Sequence, residues 1–153
     1  MKFLEVNNLD IEYQTRKETI YASKNVSFNL QRGEIIGIVG ESGSGKSTVA
    51  NAIINLIDKP GIITNGSIKL DGSELRNNAD VIKSIRGKKI GFVFQDPQTS
   101  LNPLFKIKDQ LIETIQTHSN LNYKEAETKS INLLREVGIE NPEKRIDDYP
   151  HQF

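Results

Sequence analysis

The stretch Gly40-Glu41-Ser42-Gly43-Ser44-Gly45-Lys46-Ser47-Thr48 constrains this chain more than any other part of it. It completes the pattern G-x-x-x-x-G-K-[ST] of a phosphate-cradling loop and stands between two segments of the right kind. Before it, Ile35-Ile36-Gly37-Ile38-Val39 is short, mostly β-branched and bounded by glycine, which predicts a buried strand. After it, Val49, Ala50, Ala52, Ile53, Ile54, Leu56 and Ile57 are apolar on nearly every side until Asp58-Lys59-Pro60-Gly61, which predicts a mostly buried helix. Gly40, Gly43 and Gly45 let successive N–H groups turn into one concave anion site, and the helix adds its positive end. Lys46 can place a compact charge on β- and γ-phosphates, and the Ser47 hydroxyl is placed to ligate Mg²⁺.

Composition removes several classes of function. Lysine plus arginine equal aspartate plus glutamate at 20 each, so nothing in the overall charge points to nucleic acid or an anionic membrane. Cysteine is absent, which excludes disulfides and cysteine metal sites. The N-terminus turns polar too soon for a signal peptide, and no apolar run approaches the length of a membrane span. His118 and His151 have no partner spacing for a metal or a triad and read as ordinary surface histidines.

Taken in order, Phe3 to Val6 and Leu9 to Tyr13 read as two strands, Gln14 to Glu18 as a hairpin-like connection, and Val26 to Leu30 as an alternating strand. Gly66 to Leu70 alternates and ends in the turn signal Asp71-Gly72. Val81, Ile82 and Ile85 make one short helix, and Ile90-Gly91-Phe92-Val93-Phe94 predicts a strand running into Gln95. Beyond Pro103 the period changes. Ile107, Leu111 and Ile115 predict a helix from Ile107 to His118 with one apolar stripe. Asn122 and Glu125 have capping-box spacing, Ala126, Leu133, Leu134 and Val137 line one face, Glu125 and Lys129 form an i,i+4 pair, and Gly138 stands at a C-terminal cap. The order, strands and then a helical arm, reads as two subdomains joined near Gln95.

This succession, with the segment from Phe94 to Pro103 and the closing Tyr149-Pro150-His151-Gln152-Phe153, resembles the ATP-binding subunit of an ABC transporter, of the oligopeptide, dipeptide and nickel uptake branch. The resemblance covers essentially the whole chain and corresponds to the N-terminal half, or slightly more, of such a domain. It implies an α/β fold of the P-loop NTPase type with an antiparallel β subdomain, a RecA-like core and a helical subdomain, the last two cut short. Residues 1–95 would hold the β subdomain and the loop part of the core, and 96–153 the Gln95 loop and the start of the helical subdomain. It also implies that Gly40, Glu41, Ser42, Gly43, Ser44, Gly45, Lys46, Ser47 and Thr48 hold the phosphates of ATP. Tyr13 would stack on adenine, with Tyr21 a poorer candidate, and Gln95 would reach Mg²⁺ and the attacking water. Lys46 and Gln95 are then the catalytic residues, and Ser47 and Gln95 the Mg²⁺ ligands. The implied partners are transmembrane permease subunits, a second ATP-binding subunit and, indirectly, a solute-binding protein, with no nucleic acid; the implied place is the cytoplasmic face of the membrane.

The sequence also departs from that family. The family continues past the Phe153 position with Ser-Gly-Gly of its signature, and the acidic strand and switch histidine lie further on; none of these is among the 153 residues. The expectation is therefore a chain that binds ATP without hydrolysing it. Two other readings stay open: a different phosphate-loop enzyme such as a kinase or GTPase, for which no guanine-reading motif or arginine-rich lid is visible, and a nucleotide-binding remnant with no transport role.

Overall fold

The alternation of the first 14 residues builds the centre of one sheet. In the computed structural model, which describes residues 2–96 and 100–153, β1 (Lys2–Gln14) lies between β2 (Thr19–Gln31) and β3 (Gly61–Leu70), with β4 (Ser73–Glu74) beyond β3. All three pairings are antiparallel. The two strands predicted before Gln14 are one strand with a change of phase. Leu4 and Val6 point into the core, and so do Leu9 and Ile11, which alternation from Val6 would put on opposite faces. The slip is a bulge at Asn8, whose φ is +48°, and the ladder shifts register there on both sides. Gly66 makes room for it, since a Cβ at that position would come within 2.6 Å of the carbonyl oxygens of Asn7 and Asn8.

The connection from β1 to β2 closes as predicted, with Thr15 N donating to Glu18 O at 3.0 Å. Asp71 and Gly72, both at positive φ, make the two-residue turn between β3 and β4. Against the sheet pack α1 (Lys46–Ile53), through Val49 and Ala52, and α2 (Ala79–Ile85), through Ile82 and Ile85. α1 is shorter than its apolar run. Asn55 adopts the left-handed conformation, Leu56 N donates to Asn51 O and Asn55 N to Ala52 O, and this reverse turn ends the helix before Leu56 and Ile57.

The two strands expected of a parallel core are not paired. Residues 34–40 have no ladder partner among the described residues, leaving Ile35 97% and Val39 95% exposed. Residues 91–94 behave alike, with Val93 92% exposed; only Ile90 makes an isolated bridge, to Arg86. An apolar run becomes a parallel strand only where other strands stand at its edges, and the four strands described here are joined in their own antiparallel sheet.

One compact unit runs to Ile90 and a second begins at Gly91. In the second, α3 (Ile107–His118) and α4 (Tyr123–Glu136) have the predicted spans, followed by α5 (Pro142–Arg145) and a short 3₁₀ turn at Pro150–Gln152. Asn122 and Glu125 form a full capping box, and Gly138 at φ +81° closes α4 through Gly138 N to Arg135 O and Ile139 N to Leu134 O. Glu125 Oε2 accepts from Asn122 N, and no ion pair of Glu125 with Lys129 is found among the described residues. The buried face of α4 is Ala126, Ser130 and Leu134, at strict i,i+4 spacing. Val137 lies past the helix end, 74% exposed, and Leu133 is turned outward with it. On α3, Ile112 is buried outside the predicted stripe, so this helix covers a wider face than a four-residue repeat describes. The start of α3 is tied to the turn after α5 by hydrogen bonds from Lys108 and Lys106 to the Asp147 carboxylate. Those bonds hold the carboxyl below its usual range, so their contribution is present at neutral pH and fades as pH falls through the folded-state value.

The cap and the bare edge each carry a measurable outcome. Asn122→Ala removes the side-chain half of the box and lowers stability by about 1 kcal/mol, read from the urea midpoint of the helical signal; an unmoved midpoint would show that the box contributes nothing. The bare apolar edge at 35–39 makes the chain self-associate at micromolar concentration. Ile35→Lys with Val39→Lys reverses this in sedimentation velocity, and a parent that sediments as a monomer contradicts it.

Candidate phosphate-binding site

The loop before α1 is shaped by what stands behind it. Gly45, at φ +86°, is the N-cap of α1, and no side chain caps that end. The first N–H groups of the helix therefore lack the partner a serine or aspartate would give them, which is the arrangement that receives an anion. Gly45 also lies against β2: a Cβ there would come within 2.0 Å of the Ala22 carbonyl oxygen. Only glycine fits both the conformation and the contact. Ser44 N donates to Glu41 O at 3.2 Å, folding the loop back on itself, and Gly43 supplies the second positive φ, +81°.

The Lys46 ammonium lies against the loop. Nζ donates to Gly40 O at 2.8 Å, to Glu41 O at 2.7 Å and to Ser44 Oγ at 3.2 Å, which uses all three of its protons. Ser47 is exposed beside it, and among the described residues its hydroxyl makes no hydrogen bond. One free hydroxyl at the mouth of a phosphate loop fits Mg²⁺, an ion that keeps several waters and takes its other ligands from phosphate oxygens. Among the described residues no three His, Cys, Asp or Glu side chains gather to hold a metal without such help. His118 lies in the last turn of α3 and His151 stacks on Tyr149.

The loop opens into a cleft of about 390 Å³ whose other wall is the far end of the β1–β2 hairpin: Tyr13, Ile20, Tyr21 and Ala22 face Gly43 to Thr48. Tyr13 is half-buried, opposite Ile20 on β2 and Gly61 on β3. The approach to Gly61 is close, since a Cβ there would stand 2.8 Å from the Tyr13 ring. Tyr21 reaches the same cleft but is 59% exposed, with the Lys24 ammonium 5.4 Å from its ring centre. Ile20 escaped the sequence reading; the signal for it was the hairpin register, which sets it across from Tyr13. Glu41 and Ser42 are exposed on the outside of the loop, and Thr48 is half-buried in the cleft wall.

Tyr13 and the loop thus belong to one unit, whereas Gln95 lies in the other. Gln95 is exposed and borders a recess with Phe94, Asp96 and Ser100. Of the segment from Phe94 to Pro103, Pro97, Gln98 and Thr99 lie outside the described residues.

Comparison with known proteins is consistent with this geometry. The profile described as "ABC transporter" matches residues 23–153. The oligopeptide transport ATP-binding protein OppD of Bacillus subtilis is 41% identical over 154 aligned residues, which cover 99% of this chain and 43% of that protein. The dipeptide transport ATP-binding protein DppD of Haemophilus influenzae is 38% identical, over 100% of this chain and 47% of its own length. The chain therefore spans a little under half the length of these relatives. Among solved structures, the dimeric ATP-binding cassette MJ0796, in a post-hydrolysis state bound to ADP and Pi, superposes with a TM-score of 0.83 at 30% identity, covering 98% of this chain and 62% of that one.

Two substitutions separate the roles at the loop. Lys46→Ala weakens binding of a fluorescent ATP analogue by roughly tenfold or more, the loss of a charge-assisted contact worth about 1.5–3 kcal/mol. Ser47→Ala leaves binding without Mg²⁺ near the parent's and abolishes most of the gain on adding the ion. Titrations of Lys46→Ala that overlay the parent's would show that the loop does not hold the phosphates.

Proposed function

The chain belongs to the ABC transporter family, and from that premise we propose that its 153 residues form the ATP-binding part of an energy-coupling ATPase subunit of a peptide importer. The observation that carries this reading is the union of Tyr13 with the uncapped start of α1 in one cleft. An aromatic face and a phosphate cradle at the two ends of one space suit a nucleoside triphosphate. Stacking on the Tyr13 ring adds about 1–3 kcal/mol and accepts any base, while the N–H groups of Gly43 to Thr48 and the Lys46 ammonium take the phosphates. On binding, Lys46 exchanges the carbonyls of Gly40 and Glu41 for phosphate oxygens, and Ser47 is the residue of this unit that would hold Mg²⁺. That ion, when bound, would offset the charge of the phosphates.

Peptides as the cargo are supported by the names of OppD and DppD, and nickel is the other cargo of the branch that the sequence resembles. The same reading gives the protein transmembrane permease subunits, a second ATP-binding subunit and an indirect link to a solute-binding protein. It places the chain peripherally at the cytoplasmic face of the membrane. Among the described residues no helix is long and apolar enough to cross a membrane. Gln95, in the second unit, is assigned to Mg²⁺ and the attacking water on the family resemblance alone.

Among the described residues the cleft is lined by Tyr13, Ile20, Tyr21, Ala22 and Gly43 to Thr48, and none of these is a carboxylate. Transfer of the γ-phosphoryl group to water requires a residue to orient that water and compensation for the charge that develops. These residues by themselves therefore bind ATP and do not turn it over. Phosphate release, measured beside analogue binding on one sample of the chain, stays at background while binding saturates. Turnover that vanishes in Lys46→Ala would contradict this and would assign water activation to a side chain outside the cleft lining.

A further inference from the structure

The helix behind the phosphate loop is capped by a side chain at one end only. Its N-terminus, at Gly45, has no side-chain cap, while its C-terminal carbonyls receive an arginine from another element. Arg86, at the C-cap of α2, donates from Nε and Nη2 to Ile54 O at 2.8 Å and 2.6 Å, and from Nη2 also to Asn55 O at 2.8 Å. The group is half-buried, and no ion pair of Arg86 with a carboxylate is found among the described residues. Its charge instead meets carbonyl oxygens at the negative end of the helix. A planar fork fixes direction as well as distance, which an ammonium on a flexible stem does not.

The turn that Arg86 grips needs such support. Asn55 stands at φ +52°, in the left-handed region that favours glycine, and the reversal is closed from within by Asn55 N to Ala52 O and Leu56 N to Asn51 O. α1 has eight residues, only about two turns, so it has almost no interior. Fraying of its last turn reaches close to the N–H groups that face the phosphate loop. Val49 and Ala52 hold one side of the helix in the core, and Arg86 holds its end. Arg86 is itself well anchored, because α2 is packed through Ile82 and Ile85 into the same core and its start is capped by the Asn78 side chain, which accepts from Val81 N. An uncapped helix start is a ready anion site only while the helix keeps its place without the anion. A ligand that must first order the helix binds more weakly by the cost of that ordering.

We infer, on the ATP-binding reading above, that Arg86 is a positioning residue of the phosphate site: it keeps the open start of α1 in order by holding the helix from its other end. Arg86 makes no contact with nucleotide in this role and acts only through the carbonyls of Ile54 and Asn55.

Calorimetric titration of tripolyphosphate, beside titration of a fluorescent ATP analogue, tests it. Both are done without Mg²⁺, and each dissociation constant is corrected for the unfolded fraction read from urea curves. Arg86→Met, which keeps the stem and removes the donors, weakens both ligands by the same factor, roughly three- to tenfold. Arg86→Lys, which keeps the charge and loses the fork, shows part of that loss and decides the matter where Arg86→Met does not fold. A merely structural arginine would lower the urea midpoint and leave both corrected constants at the parent's values, which overturns the inference alone. A loss confined to the ATP analogue also overturns it, because the effect would then lie at the Tyr13 end of the cleft. A parent that does not bind tripolyphosphate overturns the reading of the loop as a phosphate site, and this inference falls with it.

Discussion

The contact on which most of the first unit depends is that of Gly45 with the backbone of β2. The loop cannot shift toward the sheet, because the Ala22 carbonyl already occupies the space a Cβ would need. It is held from below by α1, whose Val49 and Ala52 are packed into the same core as Leu9, Ile11 and Ile68. The position of the phosphate cradle is therefore set by the hydrophobic packing of a helix on an antiparallel sheet. The hairpin that supplies Ala22 also supplies Tyr13 and Ile20, so one pair of strands builds the aromatic end of the cleft and backs the loop at the other.

This dependence explains which features could be read from the sequence. The glycine loop, the spans of α3 and α4, the Asn122 capping box and the Asp71-Gly72 turn are determined by residues within a few positions of one another, and each is found as expected. The bulge at Asn8 was hidden because it requires Gly66, far along the chain on β3, to clear the space. Ile35 to Val39 has the composition of a buried strand, but composition does not provide partners, and the described strands pair among themselves. On α4, Leu133 and Val137 fitted an apolar face by hydropathy alone; the helix instead turns small residues, Ala126 and Ser130, toward its neighbour, and Ser130 Oγ donates to Ala126 O.

The site was legible to a similar degree. Lys46 and Ser47 could be named from the loop pattern, because the chemistry of a phosphate cradle fixes the residue types and their order. Tyr13 came from a family resemblance, and the hairpin register supplies the physical reason that it faces the loop. Gln95 came from the resemblance alone, and it lies in a different unit from the cradle. Ile20 required knowledge of which residue stands across from which, and a linear pattern does not carry that.

The three hydrogen bonds that Lys46 makes to Gly40, Glu41 and Ser44 bear on selectivity among anions. The loop is not a bare positive trap, since its strongest charge is held by the loop's own backbone and Ser44. A small ion such as chloride or inorganic phosphate can meet the helix N-terminus or draw the lysine away, but it spans too little to replace every bond that the lysine gives up. A chain of phosphates reaches both groups at once. A lysine so engaged would favour ligands long enough to meet both groups, a preference set by ligand length rather than by the protein's net charge, which is zero.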